Sequence, residues 1–285
     1  GCNQFCSYCI IPYARGPVRS RKPVSVIEEV EDLVDKGVKE IILTGTHLGA
    51  YGYDWEKSNS LEELIERLVD VKGLAHIRLS SIEVTEISDR LIEIISSEKK
   101  LCPHLHLPLQ SGSDKILKKM RRPYTKDEYH QVVNKIRDKI PDIAITTDII
   151  VGFPGENKDY FQEHYDFVKE MAFSRLHVFP FSVREGTPAA GMKEKIPGNI
   201  KKEYSSKMRS LNENLMYSYQ KKFLGMNRKL IIEEKRDLKT NFLTGVTDNY
   251  LRVLLDEDSK YMGKMVKVKL LKSIDFENTF AEITK

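Results

Sequence analysis

The sequence predicts an α/β protein in which a barrel-like parallel sheet is followed by a small all-β barrel. Between residues 24 and 181, amphipathic helical segments alternate with short apolar runs, which is the pattern of βαβ units. After about Gly225, short β-rich runs follow one another with no helical segment between them. Such runs are typical of a small β-barrel.

The composition fits a globular protein with a large domain and a small one. The chain has 285 residues, of which 40% are hydrophobic, and its formal net charge is only +4. Any contact with RNA must therefore come from local basic patches. No apolar run reaches the length of about 18 residues that a membrane span needs, so we expect no membrane partner. Because the chain begins at Gly1, directly before its first cysteine, we expect it to be a fragment.

Three of the four cysteines stand in one loop at the start, as Cys2, Cys6 and Cys9 with the spacing C-x3-C-x2-C. Thiolates suit iron-sulfur clusters and zinc. A four-iron cluster usually takes four thiolates, so three would leave one iron open to a substrate or cofactor. The alternative is a structural zinc site closed by a histidine, for which His47 is the nearest in sequence. Cys102 stands alone and is expected to be a buried or free thiol.

The helix–strand units follow in order. Predicted helices span 24–37, 60–71, 85–96, 126–139 and 158–171, and predicted strands span 39–45, 75–81, 104–109, 143–152 and 174–181. In barrels of this kind, chemistry sits at the carboxyl ends of the strands. The polar residues found at those ends are Thr44, Gly45, Thr46, His47, Ser80, Ser81, Glu83, Gln110, Ser111, Asp148, Ser182 and Arg184.

Two groups of basic residues are candidates for binding RNA. Arg15, Arg19 and Arg21 follow the cysteine loop, and guanidinium groups suit phosphates. After a long polar helix at 199–224, Lys267 and Lys269 share one face of a predicted strand. The alternatives are a solvated basic loop and a solubilising edge strand, respectively.

Six segments carry a family resemblance that runs from Gly1 to the last residue. They are GCNQFCSYCIIPYARG, EIILTGTHLGAYG, IRLSSIE, HLHLPLQSGSD, TDIIVGFPGE and HVFPFSVREGTPA. Together they resemble the methylthiotransferase branch of the radical S-adenosylmethionine (radical SAM) enzymes. The resemblance implies a partial (β/α)6 TIM-like radical SAM barrel over 1–224, with its first strand missing. It also implies a small all-β RNA-binding barrel of the TRAM type over 225–285.

The resemblance assigns roles to individual residues. Cys2, Cys6 and Cys9 would be catalytic, holding a 4Fe-4S cluster that cleaves SAM, and a second 4Fe-4S cluster is expected in a missing N-terminal domain. Tyr8 would lie by the adenine of SAM. The remaining residues implied to bind SAM are Thr44, Gly45, Thr46, Ser81, Glu83 and Gln110.

The RLSSIE and HLHLPLQSGS segments look most like the enzyme that acts on threonylcarbamoyladenosine 37 of tRNA. The implied function is replacement of the hydrogen at carbon 2 of that base by a methylthio group. The expected partners are tRNA and a reductant protein such as a flavodoxin or ferredoxin, with no DNA, in the cytoplasm. Isopentenyladenosine 37, a ribosomal-protein aspartate, and a non-enzymatic zinc-stabilised RNA-binding module are the alternatives.

Overall fold

A computed structural model describes residues 1–55 and 60–284. Its first part contains five strands, which are β1 (Glu40–Leu43), β2 (His76–Leu79), β3 (His104–His106), β4 (Ala144–Val151) and β5 (Arg175–Pro180). β1 pairs with β2, and β3 pairs with β4 and β4 with β5, in each case in parallel. Two single parallel bridges, Ile77 to Leu101 and Ser81 to His106, join the two groups. The strands therefore lie side by side in chain order.

Helices connect these strands, as the alternating pattern predicts. They are α1 (Ile11–Arg15), α2 (Pro23–Asp35), α3 (Leu61–Val69), α4 (Asp89–Ser97), α5 (Asp114–Met120), α6 (Lys126–Lys139), α7 (Lys158–Met171) and α8 (Gly198–Lys221). Within the described ranges, no helix combines the length and the apolar character that crossing a membrane requires. The α/β class predicted for this part of the chain is confirmed.

Side-chain caps fix where several helices begin. At α6, the Thr125 hydroxyl accepts the Glu128 N–H and the Glu128 carboxylate accepts the Thr125 N–H, which is a capping box. At α3, the Ser60 hydroxyl accepts the Glu63 N–H at 3.3 Å. The next turns present an apolar stripe that packs into the core. In α3 that stripe is Leu61, Leu64, Ile65 and Leu68.

One predicted helix is wrong in part, and a short helix of the structure was missed. The predicted helix at 85–96 begins later, because Ser88 caps α4 by accepting the Leu91 N–H at 3.0 Å. Before it, Val84–Glu86 forms a single 3-10 turn. The short helix α5 was not predicted at all.

The second part of the chain is a closed five-stranded barrel, in the order β10-β8-β7-β6-β9. Its strands are β6 (Asn227–Arg236), β7 (Leu243–Thr247), β8 (Arg252–Leu255), β9 (Met265–Ser273) and β10 (Asn278–Ile283). The small β-barrel is thus confirmed as an architecture, and its last strand, β10, was missed. Its interior is filled by aliphatic side chains that include Leu230, Ile232, Val253, Val268 and Leu270.

The closed barrel packs against the end of the parallel sheet where the strands begin. Arg78 on β2 donates to the carbonyl oxygens of Thr247 and Asp248, both at 3.2 Å. The ring of Tyr250 stacks on His104, the first residue of β3, with centroids 3.9 Å apart. The cysteine loop lies at the opposite end of the parallel sheet, where the strands have their carboxyl ends.

Candidate active site

The cysteine loop, residues 1–9, is anchored to two elements at the carboxyl ends of the strands. Ser7 is fully buried; its N–H donates to the Met120 carbonyl at 3.0 Å and its hydroxyl to the Lys119 carbonyl at 2.8 Å. Both carbonyls belong to the last turn of α5, where helical partners are missing. On the other side, the N–H of Ala189, in the 3-10 turn Pro188–Gly191, donates to the Ser7 carbonyl at 2.7 Å. The loop therefore has one fixed position.

The sulfurs of Cys2, Cys6 and Cys9 do not all lie within 4.8 Å of one another. Among residues 1–55 and 60–284, the group of three Cys, His, Asp or Glu side chains whose ligand atoms are that close is Glu40, His76 and Cys102. Three thiolates on one short loop suit an iron-sulfur cluster or zinc.

His47, the histidine that the zinc alternative names, lies beside Cys2. Its Nδ1 is 3.6 Å from the Cys2 sulfur and its Nε2 is 2.5 Å from Glu86 Oε1. Burial alone would lower the pKa of His47, but hydrogen bonds to Cys2 and Glu86 raise it to about 10. Burial would likewise raise the pKa of Cys2, yet the net shift is downward because of His47.

Arg122 reaches the loop from the residue pair that follows α5, and sequence reasoning did not single it out for this site. Its Nη1 donates to the Cys6 sulfur at 3.2 Å, and its Nη2 forms an ion pair with Glu83. Its Nε donates to the Tyr124 hydroxyl at 3.0 Å. Its side chain is only 2% exposed. The predicted SAM-site residue Glu83 is therefore bound to a buried cation that also contacts a cysteine ligand.

The residues predicted to bind SAM do lie at the carboxyl ends of their strands. Directly after β1 and β2, four of them are exposed, namely Thr44, Gly45, Thr46 and Ser81. Tyr8 packs edge to face on Phe153, with ring centroids 6.3 Å apart. Burial raises the pKa of Tyr8 well above its usual range, although the Arg122 charge opposes this. Thr44, Gly45, Thr46 and Ser81 thus form a rim at the carboxyl ends of β1 and β2, and Tyr8 belongs to the cysteine loop itself.

Gln110 extends the same rim after β3. Its backbone lies in the left-handed region with φ of 65°, which is uncommon for a residue other than glycine. Its N–H donates to the Asp148 carbonyl and its carbonyl accepts the Ile150 N–H, both at 2.9 Å. These two bonds hold the strained residue against β4.

The predicted basic residues divide into two surfaces. Arg15 donates to the Thr46 hydroxyl at 3.1 Å, and Arg21 forms an ion pair with Glu29 on α2. A groove of about 420 Å³ beside β1 is lined by Arg19, Arg21 and Thr44–Thr46, among others. Arginines and predicted SAM-site residues therefore share one groove.

The second basic surface lies on the closed barrel. Lys267 and Lys269 are exposed on β9, and Val268 between them is buried in the barrel core. Lys267 stands opposite Lys229 of β6, which is also exposed. The predicted shared face of Lys267 and Lys269 is confirmed, and a third lysine extends it.

A chain of hydrogen bonds crosses β3, β4 and β5, and the sequence did not reveal it. Thr146 Oγ1 lies 3.1 Å from His104 Nε2 and 2.9 Å from His106 Nδ1. Asp148 Oδ1 lies 3.3 Å from His106 Nε2 and 3.4 Å from His177 Nδ1. Burial would raise the pKa of Asp148, but its two histidine partners hold it well below its usual range. Asp148 thus lies within β4. The prediction that it stands at the carboxyl end of its strand is wrong.

Comparison with known proteins agrees with this geometry. The family profile described as the radical SAM superfamily matches residues 1–168. The threonylcarbamoyladenosine tRNA methylthiotransferase MtaB of Bacillus subtilis (strain 168) is 45% identical over 96% of this chain and 61% of its own length. The tRNA-2-methylthio-N(6)-dimethylallyladenosine synthase of Thermoanaerobacter pseudethanolicus is 42% identical over 95% of this chain and 57% of its own length. The chain thus spans about three fifths of the length of these relatives.

Solved structures with low sequence identity share the fold. Coproporphyrinogen III oxidase (HemN) from Escherichia coli, described as a radical SAM enzyme, aligns with a TM-score of 0.56 at 12% identity, over 96% of this chain and 65% of its own. The radical SAM methyltransferase TsrM from Kitasatospora setae aligns with a TM-score of 0.55 at 17% identity, over 67% of this chain and 37% of its own. With the family profile covering more than half of its residues, the chain belongs to the radical SAM superfamily.

Proposed function

We propose that the chain is the catalytic part of a tRNA methylthiotransferase that replaces the hydrogen at carbon 2 of N6-threonylcarbamoyladenosine 37 with a methylthio group. The observation that carries this proposal is the loop of Cys2, Cys6 and Cys9, which the buried Ser7 fixes to the end of α5 and to Ala189. The relative named for threonylcarbamoyladenosine, at 45% identity, supports the substrate. Dimethylallyladenosine is the second candidate, because a relative at 42% identity is named for it.

The chemistry requires a cofactor, since acid–base groups do not break a strong carbon–hydrogen bond. Cys2, Cys6 and Cys9 would hold a 4Fe-4S cluster, and three thiolates would leave one iron available to SAM. When bound, this pair supplies the one-electron chemistry of hydrogen abstraction. The TsrM structure is described with a [4Fe-4S] cluster bound, which supports the same cofactor in this fold.

The chain's own residues position the cofactor and shield it. Exposed hydroxyls and backbone groups at Thr44–Thr46 and at Ser81 are available to the polar groups of SAM. On the buried side, Tyr8 and Phe153 form an apolar wall. Excluding water in this way protects a reactive species from side reactions. Gln110, held by β4, completes the rim.

The RNA is proposed to bind through the two basic surfaces. We assign 1–224 to the radical SAM core and 225–285 to a TRAM-type RNA-binding barrel. The boundary lies between the end of α8 at Lys221 and the start of β6 at Asn227. Lys229, Lys267 and Lys269 on the barrel would neutralise phosphates of the tRNA. Arg15 and Arg19 would contact the nucleotides next to the modified base.

Sulfur and electrons must come from outside this chain. The named relatives are longer, and we propose that their additional part carries a second 4Fe-4S cluster that supplies the sulfur. A flavodoxin or ferredoxin would deliver the electrons. We expect the reaction in the cytoplasm, where its tRNA substrate is.

The first test is anaerobic reconstitution of the 285-residue chain with iron and sulfide. We expect about four irons per chain and reductive cleavage of SAM, both lost in the Cys9→Ala variant. His47→Asn separates this from the zinc alternative, because it should leave the iron content unchanged. Zinc in place of iron, released by His47→Asn, would contradict the proposal.

The second test is mass spectrometry of tRNA nucleosides from cells that lack the gene. Loss of the methylthio form of threonylcarbamoyladenosine alone is the expected result. Loss of the methylthio form of dimethylallyladenosine would instead establish the second candidate.

A further inference from the structure

Arg122 is a buried cation at the cysteine loop, and none of the predicted site roles uses it. Its side chain is 2% exposed. A buried charge is costly unless it is paired and hydrogen-bonded. Arg122 has three polar partners, each on a different nitrogen: the Cys6 sulfur, the Glu83 carboxylate and the Tyr124 hydroxyl. Each of the three guanidinium nitrogens therefore has a partner, which fixes the side chain in one geometry.

The backbone that precedes Arg122 leaves its position little freedom. Arg121 ends α5 in the left-handed conformation, with φ of 58°, and the Arg122 N–H donates to the Leu117 carbonyl at 3.0 Å. This is the hydrogen-bond pattern of a helix C-terminal motif. The neighbouring carbonyls of the same turn accept the two hydrogen bonds from Ser7. One helix end therefore carries both the cysteine loop and the cation that contacts it.

Tyr124 holds the far side of the guanidinium. Its hydroxyl lies 2.9 Å from the Pro108 carbonyl and 3.0 Å from the Leu109 carbonyl, both just after β3. Its ring also lies under the guanidinium, whose carbon is 5.0 Å from the ring centroid. Arg122 is thus braced between β3 and the loop, and its Nη1 has one sulfur within reach.

A fixed N–H donor on a ligand sulfur has a known electrostatic consequence. Hydrogen bonds to the sulfurs and the net charge around an iron-sulfur cluster set its reduction potential. Reduction adds one negative charge, which a nearby cation stabilises more than it stabilises the oxidised form. The negative charge of Glu83 acts in the opposite direction, because it partly cancels the guanidinium.

We propose that Arg122 is a positioning residue that holds the Cys6 thiolate and raises the reduction potential of the cluster, and that Glu83 tempers this effect. The inference rests on the proposed cluster at Cys2, Cys6 and Cys9. It makes the potential depend on an ion pair and not on the cysteines alone. It also links the reduction potential to Glu83, which is one of the residues predicted to bind SAM.

The experiment measures the midpoint potential of the reconstituted 285-residue chain, without SAM or RNA, in three variants. Arg122→Gln removes the cation and keeps a side chain of similar length. Glu83→Gln removes the counter-ion and keeps the cation. Arg121→Gln is the matched control, because it removes the exposed arginine next in sequence.

We expect Arg122→Gln to make reduction about tenfold less favourable, which is a shift of about 59 mV to more negative potential for one electron. Glu83→Gln should shift the potential in the positive direction, and Arg121→Gln should leave it in place. A residue with a merely structural role would not produce shifts of opposite sign.

Three outcomes would overturn the inference: an unchanged potential in Arg122→Gln, an equal shift in Arg121→Gln, or a negative shift in Glu83→Gln. If Arg122→Gln fails to assemble a cluster, the sign of the Glu83→Gln shift decides. A wild-type chain that assembles no four-iron cluster would instead contradict the proposed function. The two failures are therefore distinguishable.

Discussion

At the scale of single residues, Cys102 shows that the surroundings of a thiol change its pKa. It lies just before β3, buried, with its sulfur within 4.8 Å of ligand atoms of Glu40 and His76. Burial raises the pKa of Cys102 to about 12, so it is a neutral thiol at neutral pH. Glu40 is already paired with His76 at 3.0 Å and with Arg78 at 3.4 Å. This cluster satisfies its own charges without a metal.

The prediction for Cys102 follows directly. Cys102→Ala should leave the iron content of the reconstituted chain unchanged, because the thiol lies outside the cysteine loop. Iron and acid-labile sulfide analysis measures this, with Cys6→Ala as the control that loses the cluster. Iron loss from Cys102→Ala would mean that a fourth cysteine is a ligand and that no site is left for SAM.

Asp148 gives a prediction about pH. Its pKa is lowered in the folded state, so its stabilising effect is complete above its unfolded pKa of about 3.9 and is lost as the pH falls below that value. Asp148→Asn should therefore lower the free energy of unfolding by about 2 kcal/mol at pH 6, the scale of hydrogen bonds to a charged group. The difference from wild type should shrink below pH of about 4.

Chemical denaturation at pH 6 and pH 3 measures this difference. The control is Asp138→Asn, which removes an exposed carboxylate on α6 and should cost little at either pH. An Asp148→Asn difference that is as large at pH 3 as at pH 6 would show that charge is not the cause.

At the scale of elements, the junction between the cysteine loop and α5 connects folding to metal binding. Ser7→Ala removes the hydroxyl that donates to the Lys119 carbonyl at 2.8 Å. We expect a loss of about 1 kcal/mol in the free energy of unfolding and faster iron release to a chelator. Ser96→Ala is a matched control, because its hydroxyl makes the same type of bond, to the Glu93 carbonyl at 2.8 Å, on exposed α4. Equal iron release from both variants would contradict this role of Ser7.

Some elements were predictable from sequence because their signals are local. The bounds of α6 and α7 were predicted as observed, since a capping residue precedes each apolar stripe. The seven-residue α5 has no side-chain cap and was missed. The strand β10 was missed because it is defined by partners, pairing in parallel with β8 and antiparallel with β9. Contacts between distant segments leave little trace in a local pattern.

The residues of the candidate site also divide into those that the sequence predicts and those that only the fold brings together. The spacing of the three cysteines is local, so a metal centre could be proposed from the sequence. Polar residues at the ends of β1 and β2 were also predictable, whereas Asp148 lies inside β4. Arg122 stands in the sequence with Lys118, Lys119 and Arg121. Such a basic run is typical of a solvated helix end, and only the fold buries Arg122. His104, His106 and His177 lie inside apolar strands, and their connection through Thr146 and Asp148 depends on the register of three strands.

At the scale of the whole molecule, the lysine face of the closed barrel can be tested separately from the chemistry. The double variant Lys267→Ala/Lys269→Ala should weaken tRNA binding and lower the salt dependence of the binding constant by about two units of slope. Cleavage of SAM should be unchanged, because both lysines are exposed on the barrel surface. Binding titrations at several salt concentrations measure the slope.

Lys139→Ala, which removes an exposed lysine on α6, is the control and should leave the slope in place. A double variant with wild-type affinity and slope would contradict the assignment of this face to RNA. Surface substitution is a more specific test than deletion of 225–285, because the deletion would also remove Tyr250, whose ring stacks on His104 of the parallel sheet.

The closed barrel meets the parallel strands where they begin, whereas the cysteines lie where they finish. Eight residues of β4 separate these ends, which at about 3.3 Å per residue is roughly 26 Å. An RNA that binds both the lysine face and the cysteine loop, as proposed, would have to span at least that distance. A stem-loop would meet this requirement, whereas an RNA fragment too short to span it would contact one end alone.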